Sequence, residues 1–161
     1  MLLTVAAACS SSSEQTGPDP VTRSEYTTIL LNTDATFWRR VDSVNAQLAS
    51  ADQDPTAAAV GGTLGRELRR YLDTMAGFPP AQDLRPQHDA FLTALLAMSN
   101  ALFEVADVGG DTSFVAAATV RPDLVDSLEA RSAELGAACA TLVSPLGLSL
   151  DGDGMRCMDW D

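Results

Sequence analysis

Residues 24–49 read SEYTTILLNTDATFWRRVDSVNAQLA, and the spacing within this stretch predicts the fold. Its apolar side chains fall at Tyr26, Ile29, Leu30, Phe37, Val41, Val44 and Leu48. Steps of three and four return to one side of a helix, whereas a half-buried strand needs strict alternation. Arg39, Arg40, Asp42 and Asn45 fall mostly between the apolar positions, as an amphipathic helix requires. A helix with one apolar stripe must bury it against other elements, so the rest of the chain is read for partners.

The partners follow in order. Asp54-Pro55 reads as an N-cap followed by proline at the first helical position, opening a second helix that runs to about Met75. Its face is Leu64, Leu68, Tyr71, Leu72 and Met75. Gly61, Gly62 and Gly65 each cost about 1 kcal/mol against alanine in a helix, and they mark either a break or a close helix crossing. Gly77 to Pro80 is a stop and linker. A third helix starts near Leu84 to Pro86 and reaches about Ala106, with Leu84, Phe91, Leu92, Leu95, Leu102 and Val105 as its stripe. Gly109-Gly110 ends that region, and Thr112 to Thr119 can form a short extra helix. Arg121-Pro122 opens a fourth main helix to about Val143, carrying Leu124, Leu128, Leu135, Cys139 and Leu142 near one face. Pro145 then blocks continuation. No convincing alternating run and no strong internal repeat interrupts this order. The expectation is an all-α, antiparallel four-helix-bundle-like domain over 23–161 with a C-terminal tail, preceded by a flexible segment over 1–22.

Composition supports one domain. The chain has 161 residues and is 46% hydrophobic but only 6% aromatic, so its core rests on Leu, Val and Ala. The net charge of −12 repels phosphate backbones and anionic headgroups, which argues against nucleic acid as a partner. All ten basic residues are Arg. P-loop, kinase-type and Schiff-base chemistry all need a lysine amine and are therefore excluded. His88 is the single histidine, so one chain cannot build a histidine-rich metal site.

The N-terminus carries the one family resemblance. Met1 to Ala8 is apolar and ends in Ala6-Ala7-Ala8-Cys9, followed by four serines and a polar stretch reaching Pro18 and Pro20. This order resembles the end of a bacterial lipoprotein signal peptide, in which small residues precede a cysteine that becomes lipidated. The resemblance implies that Cys9 carries the lipid, that the following residues form a tether, and that the domain is extracytoplasmic. It departs from the family where Ala6 replaces the usual leucine and where a charged first region is lacking. Translation is therefore expected to begin upstream of Met1. The apolar run is too short to span a bilayer, which needs about 20 residues. With Cys9 lipidated, Cys139 and Cys157 remain as a pair, and an exporting compartment permits a disulfide between them; two free thiols are the other reading.

Several features are weighed as sites. His88 lies beside the apolar face near Leu84 and Phe91-Leu92. It is either a ligand-binding or basic group, or an interfacial histidine bonded to a backbone carbonyl or carboxylate. Val60 to Gly65 lacks both the spacing and the preceding strand of a dinucleotide-binding turn. Asp151-Gly152-Asp153-Gly154 offers alternating carboxylates but has Met155 and Arg156 where an EF-hand loop needs a ligand and a glycine. Met155, Cys157 and Met158 are soft donors for Cu(I), which a disulfide at Cys157 would weaken; the plainer reading is that Met155, Met158 and Trp160 cover one end of the bundle. No nucleophile elbow is present. The expected function is a membrane-tethered, non-catalytic binding module of the cell envelope with a protein partner, with no cofactor and no metal. The alternative is a small-ligand or metal carrier using a pocket between helices with His88 at its edge.

Overall fold

The computed structural model describes residues 18–50, 54–148 and 155–157. Cys9, the Asp151–Gly154 run, Met158 and Trp160 lie outside the described residues. The chain is all-α. Its helices are α1 (Arg23–Ala49), α2 (Ala57–Ala76), α3 (Arg85–Gly109), the short α4 (Phe114–Val120) and α5 (Pro122–Val143).

Helix α1 starts on a capping box. Thr22 Oγ1 accepts from the Glu25 N–H, and the Glu25 carboxylate accepts from the Thr22 N–H at 2.9 Å. Its buried residues are Tyr26, Leu30, Asp34, Phe37 and Val41, while Ile29, Val44 and Leu48 are half-buried at the edges of the stripe. Helix α2 begins later than Asp54-Pro55 suggests. Thr56 is the cap, its hydroxyl accepting from the Ala59 N–H at 3.1 Å. The Pro55 carbonyl is instead taken by the Phe114 N–H, and the N–H groups of Ala57 and Ala58 go to the carbonyls of Thr112 and Gly110. The α3–α4 turn thus satisfies donors that the helix itself leaves unpaired, and this fixes the boundary.

The glycines of α2 mark a crossing, not a break. A Cβ on Gly61 would stand 2.4 Å from the Leu102 carbonyl oxygen, and one on Gly65 would meet the Phe103 ring at 3.2 Å. Ser99 Oγ reaches the Gly65 carbonyl at 3.0 Å across the same seam. Backbones approach this closely only where side chains are missing. A second close approach lies at Gly109, where a Cβ would be 2.2 Å from the Ala57 Cβ.

Contacts give the arrangement. Tyr71 meets both Phe37 and Phe91, Arg40 pairs with Glu67, and Gly61 meets Leu102, so α1 and α3 both run antiparallel to α2. Arg23, at the start of α1, donates to the Pro145 carbonyl beyond the end of α5. Helix α3 is apolar and long enough to cross a membrane, but here it is the central helix, packed between α2 and α5. One core joins side chains from α1, α2, α3 and α5, with a small satellite of Ala57, Val105, Ala117 and Leu124 around α4.

The tail closes the structure. Cys157 forms a disulfide with Cys139 of α5, with a Cα–Cα distance of 5.7 Å. Met155 is fully buried in the core. The Arg156 N–H donates to Asp34 Oδ2 of α1 at 3.2 Å, and its guanidinium lies 5.6 Å from the centre of the Trp38 ring. Three tail residues therefore tie α5 to α1.

Candidate functional site

Two polar assemblies lie within this frame. The first is inside the core. His88 is buried, and its Nδ1 is 2.7 Å from the Tyr26 hydroxyl, with the rings edge to face. Burial lowers its pKa, because the charged imidazolium loses hydration there; nearby Asp89 opposes the effect and Arg85 adds to it. Burial also pushes the Tyr26 phenol up, so both groups are neutral near pH 7. The partner is thus a phenol from α1, not the carbonyl or carboxylate that the sequence suggests.

Further along α1, Asp34 is buried at 2% exposure. Its carboxylate accepts from the Arg156 N–H and, at 3.4 Å, from the Tyr71 hydroxyl. Burial raises its pKa, against the lowering effect of these donors and of the Arg156 charge. The Tyr71 phenol is pushed well up by its own burial and by the Asp34 charge. These groups link α1, α2 and the tail.

The second assembly faces solvent. A groove of about 240 Å³ runs between α1 and α2. Helix α1 supplies Asn32, Thr33, Thr36, Phe37 and Arg40, and α2 supplies Glu67, Arg70, Tyr71 and Thr74. Helical spacing places these residues on one side of each helix: 33, 36, 37 and 40 on α1, and 67, 70, 71 and 74 on α2. Phe37 and Tyr71 form a buried floor. The Glu67 side chain is only 10% exposed and is held by two arginines, Arg40 at 3.3 Å and Arg70 one turn along its own helix. Those arginines are 49% and 60% exposed, so each guanidinium is oriented by a sheltered carboxylate while its other donors face the groove and solvent.

His88 is not among the residues that line this groove. No group of three or more metal-ligating side chains occurs among the described residues. In the soft-donor set, Cys157 is in the disulfide and Met155 is in the core.

The sequence did carry a signal for Asp34 and Glu67. Asp34 stands four residues after Leu30 and three before Phe37, and Glu67 three after Leu64 and four before Tyr71, so both interrupt an apolar stripe. Which cations or hydroxyls meet them depends on how α1 is set against α2. No known protein family, no curated protein and no solved structure matches the chain.

Proposed function

We propose that the protein is a lipid-anchored, extracytoplasmic lipoprotein whose helical domain is a non-catalytic binding module of the cell envelope, engaging an envelope protein. Cysteine accounting carries the reading. The chain has three cysteines, and Cys139 and Cys157 are bonded to each other. That leaves Cys9, directly after Ala6-Ala7-Ala8, as the one thiol outside the bridge. Disulfides persist in oxidising compartments, and such a compartment is where a lipidated cysteine would place the domain. A binding role rather than a catalytic one is supported by His88, the single histidine, being spent on a core contact with Tyr26.

The test is the intact mass of native protein, expressed from its own gene in its own host, before and after reduction. A diacyl or triacyl addition at Cys9, together with a gain of two hydrogen atoms on reduction, is the expected outcome. Cys9→Ser should then release the protein from the membrane fraction. An unmodified chain with three free thiols would overturn the reading. The groove between α1 and α2 favours a second reading, a small-ligand carrier, in which His88 takes no part.

A further inference from the structure

We infer that the α1–α2 groove binds a compact oxyanion, a carboxylate or phosphate group, between Arg40 and Arg70. This deepens the reading of the domain as a binding module and is independent of the lipid anchor.

Charge is the first argument. The chain carries −12 overall, yet the charged side chains lining this groove are two arginines and one glutamate, which leaves one formal positive charge. A concave site of net positive charge concentrates small anions.

Organisation is the second. A free arginine loses rotamer freedom when it grips an anion. Here Glu67, sheltered and bonded to both guanidiniums, has already ordered them on facing helices. Each guanidinium has about five N–H donors in a fixed fork, so donors remain after Glu67 is served. Hydroxyl directions complete the pattern. Thr33 and Thr74 donate to the carbonyls of Ile29 and Arg70, which leaves their oxygens as acceptors only. The Asn32 amide and the Thr36 hydroxyl are then the groove's neutral donors. Size is the third argument. At about 240 Å³ the groove falls below the usual range of about 300–1,000 Å³ for drug-sized ligands and suits one acidic group with a short body.

The experiment is an NMR titration of the isotopically labelled full chain with sodium acetate and, separately, with inorganic phosphate. Sodium chloride at matched ionic strength is the reference. Saturable shifts at Thr36, Arg40, Arg70 and Thr74 are expected from at least one anion, and the tighter of the two identifies the preferred group. Arg70→Gln leaves Glu67 paired with Arg40 and should weaken binding about fivefold, the value of one charge at about 4 Å in water. Removing both arginines would strand a buried carboxylate, so the null variant is the triple change Arg40→Gln, Glu67→Gln, Arg70→Gln. It should fold, by circular dichroism, and show no saturable shifts. Linear shifts matching those from chloride, or saturable shifts that persist in the triple variant, would overturn the inference without touching the anchor.

Discussion

Gly61→Ala and Gly62→Ala are the same chemical change at adjacent positions of one helix, and the structure predicts opposite outcomes. Alanine is favoured over glycine inside a helix by about 1 kcal/mol, so propensity alone stabilises both variants. At Gly62 the new methyl meets the end of the Arg66 side chain at 3.4 Å and the Ala106 Cβ at 3.9 Å, which is ordinary contact. The gain of about 1 kcal/mol should appear in full. At Gly61 it meets the Leu102 carbonyl oxygen at 2.4 Å and the Ala106 backbone nitrogen at 3.1 Å. Neither is a side chain that can swing away. Relief requires α2 and α3 to part by about 1 Å, which also strains the Ser99–Gly65 hydrogen bond. Overpacking of this kind costs up to about 3 kcal/mol, so the net loss is about 2 kcal/mol. For a chain near this size that lowers Tm by about 4–8 °C, while Gly62→Ala raises it by about 2–4 °C. Urea unfolding followed by circular dichroism, with the m-value checked for constancy, measures both. If Gly61→Ala proves as stabilising as Gly62→Ala, the close crossing is wrong.

Other perturbations test the core polar groups and the tail. Burial raises the Asp34 carboxyl above its ordinary 3.8, so between these values the folded state holds more protons than the unfolded one and stability falls as pH rises through that window. Asp34→Asn should flatten this slope in urea midpoints measured from acid to neutral pH. His88 behaves in the opposite sense. Its folded pKa is depressed below 6.5, so its contribution is complete above that pH and is lost as pH falls towards the folded value; His88→Gln should remove that part of the acid sensitivity. Tyr26→Phe deletes the phenol opposite His88 Nδ1 and should cost about 1–3 kcal/mol by thermal melting, because it leaves a buried ring nitrogen without its hydrogen-bond partner. Replacing Cys139 and Cys157 together by serine opens a loop spanning 18 positions and should cost about 3 kcal/mol in urea unfolding.

Much of the fold was legible in the sequence because helix formation and amphipathicity are local. The stripes through Leu30, Phe37 and Val41, through Leu64, Leu68 and Tyr71, and through Leu95 and Leu102 set the helices and their inner faces, and every one of these residues is buried in the core. Pro122 marks a start by chemistry that needs no partner element. Tertiary structure decided the rest. The start of α2 moved past Pro55 because the α3–α4 turn bonds that carbonyl. The glycines around Gly61 were ambiguous until the approach of α3 showed what their missing side chains admit. His88 was visibly next to an apolar face, but its partner lies 62 positions away on another helix. Arg40 and Glu67 are 27 positions apart, and only the antiparallel setting of α1 on α2 brings them together. Sequence spacing fixes which side of a helix a residue occupies; what it faces there depends on how the helices pack.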